Sequence, residues 1–152
     1  MKRIFATTAL AVALSFGAGI STAQDAAIEA RQNLMQLQAF NLGQLGAMAK
    51  GEMPYDAEQA QVAADNLVAL ARLDQSAMWP EGSDSFATDK TRAKPAIWDN
   101  FSDLMEKDQA LVEAAVAMQE IAGTDLDALR GRMEQVGKAC GACHEDYREP
   151  KN

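Results

Sequence analysis

The sequence predicts an all-α fold, an antiparallel four-helix bundle, on three observations. Ala, Leu, Gln, Glu and Met, all good helix formers, dominate the chain, and no stretch alternates Val, Ile, Thr or Tyr in the manner of a strand. Four segments carry apolar residues at steps of three and four, with Gly and Pro punctuation between them. Amphipathic helices of this length in a chain of 152 residues can bury their stripes only against one another. No internal repeat, low-complexity tract or second domain is visible.

The N-terminal stretch stands apart from the fold. Lys2 and Arg3 open it, an apolar run follows from Ile4 to about Gly19, and Ser21-Thr22-Ala23 closes it with small residues. That layout reads as a signal peptide over residues 1–23, cleaved after Ala23, and it implies export to the periplasm. The run is short and diluted by Gly17 and Gly19, so stable membrane insertion is not expected. The mature domain would span residues 24–152. Loss of Lys2 and Arg3, with no acidic residue in the segment, takes the formal charge from −8 to −10. Such acidity argues against nucleic acid as a partner, and it suits a redox partner with a basic docking face as well as plain solubility.

The first helix is expected from about Asp25 to Lys50. Ile28, Met35 and Leu42 repeat at seven on one face, with Leu45 three further on, so that Met35 is expected to face the bundle core. Gly51 and Pro54 end it. The second opens at Asp56 as N-cap, carries Ala60, Ala63, Leu67 and Leu70, and fades near Ala77 before Trp79-Pro80. Residues 79–94 show no period and are long for a bundle connection, so they are expected to cross over and cover part of the core. Pro95 starts the third helix, whose stripe runs from Ile97 and Phe101 to Met118 and Ala122, interrupted by Asp108. Thr124 with Asp127 is expected to cap the fourth. Its seam of Leu126, Leu129, Met133, Val136, Cys140, Cys143 and Tyr147 alternates three and four without a break.

Chemistry concentrates at Cys140-Gly141-Ala142-Cys143-His144. Cys-X-X-Cys-His is the attachment signal for c-type haem. Residues three apart share a helix face, so both thiols reach the two vinyl groups on one porphyrin edge, and His144 directs its imidazole at the iron. A structural zinc site wants four ligands, whereas this chain offers two cysteines and a single histidine. A thioredoxin-like pair wants an α/β context, and a plain disulfide leaves His144 without a role. The expected cofactor is one haem c. With no second imidazole, the sixth iron position falls to Met, to another weak ligand, or to nothing. Met35 is one of seven methionines after Met1, and a core Met is ordinarily a gap-filler.

Three stretches then carry a resemblance. The Cys-X-X-Cys-His-X-X-Tyr-Arg ending at Cys140–Arg148, Gly51-Glu52-Met53-Pro54-Tyr55-Asp56 at the first turn, and Lys94-Pro95-Ala96-Ile97-Trp98 before the third helix resemble the cytochrome c′/c556 family of class II cytochromes c. The resemblance covers residues 25–149 and implies a four-helix bundle with the haem near its C-terminal end. It also implies two chemistries, divided by one position on the first helix. A bulky apolar residue there leaves a five-coordinate, high-spin iron open to small gases; Met there completes a six-coordinate, low-spin iron for electron transfer. The match places Met35 at that position, with His144 opposite, and puts Arg31 and Gln32 at a haem propionate. For Arg31 the plain alternative is a solvated helix charge pairing weakly with Glu29 or Asp25. Arg148 would lie at the proximal edge or act as a cation in the last helical turn. The function implied is one-electron transfer rather than enzymatic catalysis, with binding of nitric oxide or carbon monoxide as the alternative. Family members are often dimers through the first two helices, so a homodimer is also implied.

Overall fold

In the computed structural model the backbone is described for residues 17–151 and the side chains for residues 23–151. The helices are α1 (Gly17–Lys50), α2 (Ala57–Ala71), α3 (Ala96–Asp99), α4 (Phe101–Gln119) and α5 (Leu126–Tyr147), with a 3-10 turn at Ser76–Met78. Helix α1 starts at Gly17, not Asp25, and runs through the expected cleavage point. Most of the expected leader lies outside the described residues. No described helix is long and apolar enough to cross a membrane.

Polar contacts between helices set the directions. Asn66 Nδ2 donates to Asn41 Oδ1 and Gln59 Nε2 to Gln44 Oε1, so α2 runs back along α1. Gln61 reaches the carbonyl of Gln119 while Gln75 reaches Asp108, so α4 opposes α2. Arg130 donates to the carbonyl of Ala49 at the end of α1, so α5 returns antiparallel to it. The result is a ring α1–α2–α4–α5, the expected four-helix bundle. Leu45, Met48, Leu67, Met118, Leu129 and Val136 fill its centre, each almost fully buried. Covering such side chains stabilises by roughly 1.5–3 kcal/mol apiece.

Local chemistry moves several boundaries. Asp56 caps α2 as expected, its Oδ1 accepting from the Gln59 amide at 2.9 Å. The helix stops at Ala71, however, because the Asp74 carboxylate takes the Ser76 amide and turns the chain, which tucks Gln75 inward. The third helix is split: Asn100 leaves helical geometry (φ −132°, ψ 40°), with its side-chain amide donating back to the Ala96 carbonyl. That break separates α3 from α4. Asp125, rather than Thr124, caps α5 by accepting from the amides of Asp127 and Ala128. Gly51 adopts φ +76° just past α1, the left-handed stop that glycine takes without strain.

The crossing segment 79–94 folds back over the N-terminal half of α1. Lys90 pairs with Asp25 at 2.6 Å and Gln24 donates to the Glu81 carbonyl. Its far end is stitched to the C-terminus: Lys94 N donates to Tyr147 O and Glu149 N to Arg92 O, around an antiparallel bridge between Ala93 and Arg148. A second apolar cluster of Ala93, Ile97, Leu104 and Tyr147 forms under this seam.

Candidate functional site

At the seam end of the bundle two adjoining cavities of about 290 Å³ and about 70 Å³ share Met35, Trp79, Leu104, Cys143 and His144 as walls. Cys140 opens into the smaller one, and Arg31 and Gln32 line the larger. All six residues singled out from the sequence therefore gather at one place, from the two antiparallel helices α1 and α5. The i, i+3 and i+4 spacing puts both thiols and the imidazole on one face of α5.

Met35 departs from its expected setting. It is 36% exposed and belongs to no core cluster; its side chain stands in the cavity wall. The heptad logic pointed it inward, but at this end the crossing segment and α3 line a cavity with it, so inward means toward that cavity. Cys140 and Cys143 are free and half-buried. Burial pushes both thiols up, Cys143 to about 11, so they are held protonated and apolar in character. His144 is moved the other way: burial, then the charges of Arg148 and Arg92, hold it below its ordinary value. The imidazole is thereby neutral, the form that can bind a metal. A Cβ at Gly137 or Gly141 would meet no neighbouring atom within 4 Å, so neither glycine is there for helix-to-helix approach.

Arg31 does more than a helix charge would. It is 3% exposed and pairs with neither Glu29 nor Asp25. Its Nη1 donates to the carbonyl of Met78 and the hydroxyl of Ser83; its Nη2 donates to the carbonyl of Ser83 and the hydroxyl of Thr91. The guanidinium also lies 4.8 Å from the centre of the Trp79 ring. Desolvation lowers its pKa to about 10, with Asp84 opposing, so it remains charged at neutral pH. Gln32 Nε2 donates to the Lys90 carbonyl at 2.7 Å. Both side chains thus bind the crossing segment to α1 while lining the cavity.

Several wall residues had no sequence signal, or only one read as packing. Trp79 stacks edge-on against Trp98 and accepts its indole N–H on the carbonyl. Its own Nε1 is buried without a partner among the described residues, a donor that a bound acceptor would satisfy. Asp108, the interruption in the third stripe, is half-buried beside the smaller cavity. Burial raises its carboxyl, against the lowering effect of the Gln75 amide that donates to it. Tyr147, on the seam, donates from Oη to Asp103, which Lys107 also meets at 3.6 Å. Among the described residues no group of three or more His, Cys, Asp or Glu side chains is placed to hold a metal ion.

The donor set fits haem and its attachment: two protonated thiols one turn apart, a neutral imidazole beside them, apolar walls, arginines at the rim and an unsatisfied buried donor. Fold and site together define a four-helix-bundle c-type haem protein. The family model described as Cytochrome C′ matches residues 26–148, and the chain belongs to that family. It is similar to a cytochrome c-554 of Cereibacter sphaeroides, with 47% identity covering 93% of this chain and 95% of the relative. Among solved structures it resembles a cytochrome c′ from Rhodobacter sphaeroides, with 37% identity, TM-score 0.82, and coverage of 84% of this chain and 98% of that one. A variant of Alcaligenes xylosoxidans cytochrome c′, solved as its nitric oxide complex, matches at 32% identity and TM-score 0.73, covering 84% and 97%. The protein is a haem protein of electron transport or gas binding, carrying one covalent haem c.

Proposed function

We propose that the protein is a one-electron carrier whose iron is six-coordinate and low-spin, held by His144 from α5 and Met35 from α1. The observation that supports this is the placement of both side chains in the walls of the same two cavities, on antiparallel helices. Bound haem supplies a ferric/ferrous couple at this place. Cys140 and Cys143 would fix it through two thioethers, and His144, kept neutral by burial and by Arg148 and Arg92, would present a lone pair. Ile97, Leu104 and Trp79, which line the cavity, would surround it with apolar side chains. Met35 as a ligand would favour the ferrous state, and ligation by both Met35 and His144 would limit rearrangement between oxidation states. Gln32, and Arg31 through the one guanidinium N–H not held by the loop, would stand near a propionate.

A second reading is a gas-binding, five-coordinate site. It draws support from the part-exposed Met35, which little packing holds in place, and from the nitric oxide complex of the Alcaligenes relative. Visible spectra of oxidised and reduced holoprotein, with and without carbon monoxide, separate the two. A split low-spin reduced spectrum that resists the gas, and that Met35→Leu converts to high-spin, is the expected result. A broad high-spin spectrum that shifts with the gas in the unmodified protein would overturn the carrier reading. Export to the periplasm with cleavage after Ala23 belongs to the same proposal, and mass spectrometry of the exported protein checks it. Leu37, Phe40 and Val62 are exposed on α1 and α2 and supply an apolar face for pairing of two copies.

A further inference from the structure

Net charge describes the molecule from a distance, whereas docking responds to charges within about a Debye length, about 8 Å at physiological salt. Two pockets that share His144 carry more cations than carboxylates in their walls, against the sign of the chain as a whole. Lys50, Lys90, Lys107, Arg130 and Lys138 are in ion pairs with carboxylates. Of the cations that make no ion pair among the described residues, only Arg72 and Arg132 lie elsewhere. The others line the larger cavity or a shallow surface pocket next to it: Arg31, Arg92, Lys94, Arg148 and Lys151. The larger cavity has Arg31, Arg92 and Arg148 in its walls and no carboxylate. The surface pocket has Glu145 and Glu149 against Arg92, Lys94, Arg148 and Lys151, and His144 is part of both.

The backbone creates this concentration. The bridge between Ala93 and Arg148 draws two cationic segments, residues 92–94 and 148–151, side by side. Their side-chain donors go to carbonyls, Arg92 to that of Glu149 and Lys94 to that of Glu145, and neither makes an ion pair among the described residues. Like charges brought together cost stability, so an acidic chain gains nothing structural by collecting its free cations here. The return is a local field around His144, the residue that would hold the iron.

We propose that the rim of Arg92, Lys94, Arg148 and Lys151 around His144 is the face at which electrons are exchanged, and that the redox partner meets it with carboxylates. This reverses the polarity that net charge suggests, and it rests on the electron-carrier reading. One electron leaves the ferrous haem, which becomes ferric, and reduces a one-electron centre of the partner; no bond forms or breaks and no proton moves.

Small charged reagents read the local field directly. Oxidation of reduced holoprotein by ferricyanide, followed by stopped flow, is expected to slow several-fold as salt rises from about 0.01 M to about 0.15 M. Oxidation by a cationic cobalt complex is expected to quicken. The pair Lys94→Glu and Lys151→Glu should reverse both trends, with Lys94→Gln and Lys151→Gln flattening them. Independently, short polyglutamate added to 15N-labelled holoprotein at low salt should shift amides in segments 92–94 and 148–151 before any on α1 or α2. Ferricyanide rates that rise with salt, or polyglutamate shifts spread away from this rim, would overturn the proposal while the low-spin spectrum stood. A high-spin spectrum would overturn the carrier reading instead, and the amide shifts would still report the sign of the face.

Discussion

Arg31→Ala offers a direct test of how the site is held in shape. The wild-type guanidinium is 3% exposed and donates to Met78 O at 3.0 Å, Ser83 Oγ at 2.8 Å, Thr91 Oγ1 at 3.1 Å and the Ser83 carbonyl. Hydrogen bonds from a charged donor contribute about 1.5–3 kcal/mol each, so four of them set an upper bound of about 6–12 kcal/mol. Two corrections reduce it. The buried cation carries a desolvation cost, visible in a pKa lowered to about 10, and its removal recovers that cost. Water entering from the cavity would also satisfy part of the abandoned acceptors. The net expectation is a loss of about 3–5 kcal/mol, the range for breaking a buried charged network, or about 10–20 °C in Tm. Arg31→Lys keeps a charge but not the fork, and should fall between the two. The loss should be local: amides such as Ser85 and Lys90 in the crossing segment should exchange faster, while those in α2 and α4 remain protected. Urea unfolding of the holoprotein with hydrogen exchange measures both. A change under about 1 kcal/mol, or uniform loss of protection, would refute the role of Arg31 as the clamp.

Other outcomes are expected on the same grounds. Asp108→Asn should be more stable than the parent at pH 7, since burial raises the native carboxyl and the amide still accepts from Gln75. A carboxyl raised on folding lowers stability as pH climbs from its unfolded value, about 3.9, through its higher folded one, so the advantage should vanish below about pH 4 in thermal melts. Leu129→Ala removes a fully buried side chain from the centre of the bundle and should cost about 2–5 kcal/mol in urea unfolding. Gly51→Ala imposes a Cβ at φ +76° and should cost about 1 kcal/mol. Cys140→Ser with Cys143→Ser should leave haem extractable by acidified acetone, whereas the parent retains it.

Legibility in the sequence followed the range of the interactions. The seam of α5 and the cap at Asp56 were readable because helical periodicity and capping depend on residues within about one turn. The break at Asn100 was not: an Asn competing for a carbonyl one turn back leaves the apolar spacing on both sides intact. Asp125 displaced Thr124 as a cap for a similarly small reason, a shift of one residue in where the helix begins. Met35 was expected in the core and stands instead in a cavity wall, because periodicity cannot tell a packed interior from the wall of a cavity.

Arg92 marks the limit most sharply. It sits in an aperiodic stretch between Thr91 and Ala93, and nothing in its neighbours hints that it lies beside His144. The sequence by itself determined the four-helix architecture, the family and the haem-attachment group, because covalent attachment and helical stripes are written in short spacings. The tertiary structure alone decided that Arg31 locks a distant loop through Ser83 and Thr91, and that Arg92, Lys94, Arg148 and Lys151 gather around His144. Both depend on backbone segments more than fifty residues apart meeting at one bridge or one guanidinium, and no local pattern encodes that meeting.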